Sequence, residues 1–210
     1  GELEKARVCF EEELKLKPQL EKAHLNLGAV FEKRGKIELA VREYKAAIAI
    51  SPRFPEAISG LGQILMNQRK YPELESLAGR AVEEGIESAD IYFQLGVALA
   101  TQSKMERAKW AFTRSLSLNP LRPLALANLG RIAFEQGNYD EAISYYDRAL
   151  RLDARNSSYL VMAGSIFLEH KKDPEKALSY YRRALQADPY GPYAASVREL
   201  IKKLESGPPG

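Results

Sequence analysis

Cysteine is nearly absent. Cys9 is the single one in 210 residues, so no disulfide can form within the chain and a cysteine-rich zinc site lacks its ligands. Histidine is almost as scarce: with only His24 and His170, a transition-metal site built wholly from protein side chains has too few nitrogen donors. No stretch approaches the roughly 20 apolar residues that span a bilayer. The opening residues, Gly1, Glu2, Leu3, Glu4 and Lys5, lack the apolar region of a signal peptide. An excess of one charge is missing too. The 31 basic and 28 acidic residues leave a formal +3, too little to steer the chain onto nucleic acid or an anionic membrane. Catalytic templates are equally lacking. There is no His-Glu-x-x-His, calcium-loop or Gly-x-Ser-x-Gly pattern, and Gly60-Leu61-Gly62 falls inside a helical pattern without a third glycine. The reading is therefore of a non-enzyme with no cofactor. His24 reads as a hydrogen-bonded packing residue, His170 as a solvated turn residue and Cys9 as a small packing residue.

What the sequence does have is a period. Leu27-Gly28, Leu61-Gly62, Leu95-Gly96, Leu129-Gly130 and Ala163-Gly164 recur every 34 residues. Around each glycine the apolar residues follow helical spacing, as at Tyr92, Leu95, Gly96 and Leu99. A second helical stripe follows each polar turn: Ala40, Tyr44, Ala47; Ala108, Phe112, Ser115; Ala142, Tyr146, Ala149; Ala177, Tyr181, Ala184. Each copy is thus two helices. The small residues let the backbones approach, and the intervening ring fills space between neighbouring pairs. Gly35 and Gly137 lie at turns within pairs. Pro18, Pro52, Pro120 and Pro189 stop second helices at multiples of 34, with one extra residue in the 170–173 turn.

This pattern of a bulky residue, Leu-Gly, an aromatic, then Ala, aromatic, Ala and Pro resembles the tetratricopeptide repeat (TPR). The resemblance implies an all-α fold: a right-handed superhelical solenoid of antiparallel helix pairs, forming a single domain over 1–206. The expected units are a half repeat at 2–20, full repeats at 21–54, 55–88, 89–122, 123–156 and 157–191, a capping helix at 192–205 and a disordered tail at 207–210. The second repeat departs from the pattern. It carries Leu74 and Ala78 where Ala and an aromatic are expected, and ends in Gly85-Ile86 instead of Pro. Looser packing is expected there. Because Ala6, Phe10 and Pro18 lie 34 residues before Ala40, Tyr44 and Pro52, the chain is expected to begin inside a longer array. A signal or anchor upstream of residue 1 stays open, with the cytoplasm the expected compartment.

With chemistry absent, function must come from shape. The resemblance assigns a stripe flanking the core stripe of each first helix to a concave, partner-binding groove. Two features of it carry the expectation. Asn26, Gln94 and Asn128 share one position in their repeats, and their side-chain amides can donate to and accept from an extended backbone. That row resembles the asparagine ladder of some family members, although Gly60 and Met162 interrupt it. Second, Phe93, Val97, Phe134, Val161, Met162 and Leu168 would give repeats three to five an apolar floor, with Met66 and Arg131 on the same stripe. The alternative, that some of these face a neighbouring helix, stays open because the two stripes adjoin. A carboxylate clamp of the chaperone-tail type is not expected, since Leu25 and Ala29 stand where its cationic and polar residues would be.

The function expected is a non-catalytic scaffold that binds an extended or helical protein segment in this groove. The alternative is the recruiting TPR segment of a larger enzyme. RNA binding by a related helical repeat is a weaker third reading, disfavoured by the mixed groove charges. The partner is a protein or peptide, with no nucleic acid and no membrane insertion, and the exposed Val8, Phe10 and Leu14 of the half repeat suggest self-association.

Overall fold

The computed structural model describes residues 1–206; the tail assigned to 207–210 lies outside them. Twelve helices and no strand occur among the described residues. They fall into two compact units, one from Gly1 to Leu118 and the other from Asn119 onward.

In the first unit, α1 (Glu2–Leu16) precedes three helix pairs: α2 (Glu21–Lys33) with α3 (Ile37–Ile50), α4 (Pro55–Asn67) with α5 (Tyr71–Glu83), and α6 (Ala89–Thr101) with α7 (Met105–Leu118). The second unit contains α8 (Pro123–Glu135) with α9 (Tyr139–Leu152), α10 (Ser157–Glu169) with α11 (Pro174–Ala187), and α12 (Ala194–Ser206). All five first helices are 13 residues long and start 34 residues apart. Proline at the first position of α4, α8 and α11 supplies a fixed φ where an N–H would have no helical partner.

The turn inside each pair repeats as strictly as the helices. Gly35, Arg69, Ser103 and Gly137 all have φ between 57° and 76°. In each case the next residue's N–H bonds back to the first helix: Lys36 to Phe31, Lys70 to Leu65, Lys104 to Leu99 and Asn138 to Ala133. This is a glycine-type helix stop, occupied by non-glycine residues in two of the four. In the fifth repeat the left-handed residue is Lys172, one position late, which places the extra residue between Glu169 and Lys172. Asp173 then caps α11 by accepting from the Lys176 N–H.

Each Leu-Gly glycine meets a ring. A Cβ built on Gly28 would lie 2.8 Å from Tyr44, on Gly96 2.7 Å from Phe112, on Gly130 3.1 Å from Tyr146 and on Gly164 2.8 Å from Tyr181. The ring therefore packs on the glycine of its own pair. Tyr44 also reaches across to Gly60 of the next first helix, and its hydroxyl donates to Glu32 at 2.8 Å.

The second repeat differs, as its sequence predicts. Leu74, fully buried, stands at the crossing point where the other second helices carry alanine. Its bulk keeps α5 from packing on α4 as closely as the other pairs do, and α5 instead packs more fully on α6. Gly85, at φ 76°, ends α5, and the Ile86 N–H bonds to the Ala81 carbonyl while its side chain is buried.

At the ends, α1 buries no residue completely, yet Phe10 and Leu14 pack against the core formed by Leu27, Phe31, Tyr44 and their neighbours. Only Val8 of the three residues expected to be exposed there is so. In the second unit, α12 lays Val197, Leu200, Ile201 and Leu204 against a core that includes Phe167 and Tyr181. It covers the last pair, although it starts at Ala194, two residues later than expected.

Candidate partner-binding surface

The stripe assigned to the groove divides sharply by residue. In the first unit, Asn26 on α2 is exposed and makes no side-chain hydrogen bond among the described residues, and Met66 on α4 is half-buried. The corresponding part of α6 is core. Phe93 is 7% exposed, with its ring 5.8 Å from that of Phe112. Gln94 is 3% exposed. Its Nε2 donates to the Ser59 carbonyl at 2.8 Å, and its side chain lies over Gly62. Ala100 is buried as well, leaving Val97, half-buried, and Thr101 as what α6 presents from this stripe.

The expectation that Phe93 and Gln94 line an accessible groove is thus corrected. The cause lies one repeat earlier. Ala78 replaces the ring that should cover Gly62, and Gln94 extends back to fill that space. The missing aromatic at 78 was the signal in the sequence, but nothing in a single sequence says which neighbour moves in.

The amide ladder loses its middle. Asn128 on α8 donates to the Leu124 carbonyl of its own helix at 2.8 Å and is half-buried, so Asn26 alone of the three is uncommitted.

In the second unit the stripe is more open. Leu124 is 54% exposed, and Phe134, Val161, Met162 and Leu168 are half-buried. Val161 and Leu168 also pack against the core beneath, so they serve both faces. Arg131 pairs with Glu135 one turn on. It also stands near Tyr146, whose phenol is pushed up to about 12 chiefly by burial. Phe134 packs beside the intra-pair turns. Its ring is edge-on to His170, with centroids 5.5 Å apart, and 5.9 Å from Tyr139. His170 itself stacks on Tyr139 at 3.9 Å. A turn residue expected to be merely solvated instead braces the fourth repeat against the fifth.

His24, by contrast, packs as expected. Its Nδ1 lies 2.7 Å from the buried Glu43 carboxylate and its Nε2 3.1 Å from the Pro18 carbonyl, so the ring ties α2 to α3 and to the end of the half repeat. Cys9 is exposed. Among the described residues, no helix is long and apolar enough to cross a membrane.

Comparison with known proteins agrees with this architecture. Family models described as Tetratricopeptide repeat match residues 93–158 and 128–192, and one described as TPR repeat matches 33–68. The type IV pilus assembly protein PilF of Pseudomonas aeruginosa is 26% identical over 182 residues, covering 86% of this chain and 72% of PilF. The human protein O-mannosyl-transferase TMTC1 is 28% identical over 184 residues, and this chain spans 20% of it. Among solved structures, Pseudomonas aeruginosa PilF superposes with a TM-score of 0.83 at 24% identity, covering 95% of this chain and 90% of that one. YrrB, described as a TPR protein with an unusual peptide-binding site, gives 0.73 at 21% identity over 90% of this chain and 97% of its own. With a 34-residue helix pair repeated five times, a ring on each helical glycine but one, and these matches, the chain belongs to the tetratricopeptide repeat family.

Proposed function

We propose that this protein is a non-catalytic scaffold that holds an extended or helical segment of another protein against its first helices, with the fourth and fifth repeats as the principal contact. The observation that carries the reading is the apolar row of Leu124, Phe134, Val161, Met162 and Leu168 on α8 and α10, exposed or half-buried in a charged surface. Such rows are the usual anchors of protein interfaces, aromatic members most of all. Arg131 and Glu135 on the same face offer polar contacts that set register. The likeness to PilF and to PilW, described as a type IV pilus biogenesis factor, supports an assembly factor as the form the scaffold takes.

The test is site-specific photocrosslinking in the native host. A crosslinker at Leu124 or Met162 is expected to capture a discrete partner, and one at the exposed Ser144 on α9 is not. Equal capture from both faces would reject the first-helix assignment.

A second reading, the recruiting segment of a larger enzyme, is favoured by the match to TMTC1, of which this chain spans 20%. The sequence of the complete gene decides it.

A further inference from the structure

The departure of the second repeat leaves a cleft that no other repeat has reason to form. It is a cavity of about 490 Å³ on the second-helix side of the first unit, within the range of roughly 300–1,000 Å³ typical of binding pockets. Its floor is Leu61 and Leu65 of α4, with Val41 of α3 and Leu77 of α5 as apolar walls. Leu74 explains the opening. At the alanine position it holds α5 off α4, and Ala78 leaves no ring to fill the space beside Gly62.

The rim is charged in one sense. Lys45, Lys70 and Arg80 line it against the single carboxylate of Glu73. Among the described residues neither Lys45 nor Lys70 has a side-chain partner, and Arg80 makes only a 3.4 Å contact to the Ser76 carbonyl one turn back. Three cations left without carboxylates around an apolar floor are complementary to a ligand that is acidic at its flanks and apolar on one face.

We propose that this cleft is a second docking site, distinct from the first-helix surface, which receives an acidic amphipathic helix from a partner. Its apolar residues would enter between Leu61, Leu65 and Leu77, and its Asp or Glu residues would face Lys45, Lys70 and Arg80. Helix-in-groove recognition of this kind uses anchors at i, i+3, i+4 and i+7. The rim cations would speed association and select against basic partners. The site does not depend on the reading of α8 and α10.

A fluorescein-labelled peptide with leucines at those spacings and glutamates elsewhere serves as the probe, with a glutamate-to-lysine version as control. Fluorescence anisotropy should show the acidic peptide binding at least about tenfold more tightly, a difference of about 1.4 kcal/mol, with affinity falling as salt rises. The methyl signals of Leu61, Leu65 and Leu77 should shift in the complex. Lys45→Glu with Arg80→Glu, both at exposed positions, should abolish binding without changing the melting temperature. Leu74→Ala with Ala78→Tyr, which restores the repeat pattern and closes the cleft, should do the same in a folded protein. Leu124→Glu with Met162→Glu should leave it intact. Several results would overturn the proposal: no binding of the acidic peptide, equal binding of both peptides, retention in the Lys45→Glu, Arg80→Glu variant, or methyl shifts induced by dodecanoate alone. The last would make the cleft an acyl-chain pocket.

Discussion

Gln94 occupies the place of a missing ring over Gly62. A Cβ built on Gly62 would lie 2.3 Å from Gln94 Oε1 and 2.8 Å from its Cδ, and Oε1 itself is buried with no hydrogen-bond partner. Gly62 is thus paired with an amide from the next repeat, where its four counterparts are paired with a phenyl or phenol ring of their own.

This pairing makes the effect of one substitution depend on another. Gly62→Ala should destabilise the protein by about 1–3 kcal/mol through overpacking. In a Gln94→Ala background the same change should stabilise it by about 0.5–1 kcal/mol, since alanine is the better helix residue once the space is free. Denaturant melts of the four proteins in the cycle check this; additive effects would show that Gln94 does not fill the site.

The left-handed turn residues should respond in opposite directions. Arg69 and Ser103 have φ of 57° and 59°, a region that strains any residue with a Cβ. Each mutation to glycine should raise stability by about 0.5 kcal/mol, net of the entropy glycine adds to the unfolded chain. Gly35→Ala and Gly137→Ala should each cost about 1 kcal/mol. Nothing lies within 4 Å of a Cβ at either glycine, so the cost is backbone strain alone. Thermal denaturation of the single variants measures it.

His24→Ala should destabilise the first unit by about 1–3 kcal/mol, because it removes a partner of the carboxylate of Glu43, a residue only 5% exposed. Arg42 still bonds to the other oxygen of that carboxylate, which keeps the loss from being larger. In His24→Ala with Glu43→Leu the buried charge is gone, and most of the stability should return. Chemical denaturation of the two proteins decides the matter.

Glu75 makes the first unit acid-sensitive. The hydrogen bond from Lys104, opposed by burial and reinforced by the bond from Gln102 and the charge of Arg107, holds its carboxyl below the ordinary 4.5. A carboxyl lowered on folding binds its proton more weakly in the folded state. Its contribution is therefore complete above pH 4.5 and is lost as pH falls through the lower folded value. Glu75→Gln should lower the melting temperature at pH 7 and match the wild type at the acid end. A constant difference across that range would refute the assignment.

Much of this was legible in the sequence. The period of 34 placed the start of every first helix, because Leu-Gly spacing, prolines and turn residues act on the local backbone, and each repeat restates the same signals. The rings over Gly28, Gly96, Gly130 and Gly164 follow from that pattern, and so does the loose second repeat, since Leu74 and Ala78 break it in plain view.

Which residues of a helix face a partner was not legible to the same degree. The core and groove stripes lie side by side on one helix, so a small change in how a neighbour crosses it moves a residue from surface to interior. Phe93 and Gln94 became core because Ala78 left a space behind them, and Phe134, on the same stripe one repeat later, stayed half-buried. His170 left solvent for Tyr139 and Phe134 because one inserted residue redirected its turn. By itself the sequence determined the repeat, its helices and their family, since these depend on short-range spacing. Only the tertiary structure decided which side chains remain available for binding, because burial depends on how α5 sits against α4 and α6, and that is set by packing volumes contributed by three different repeats.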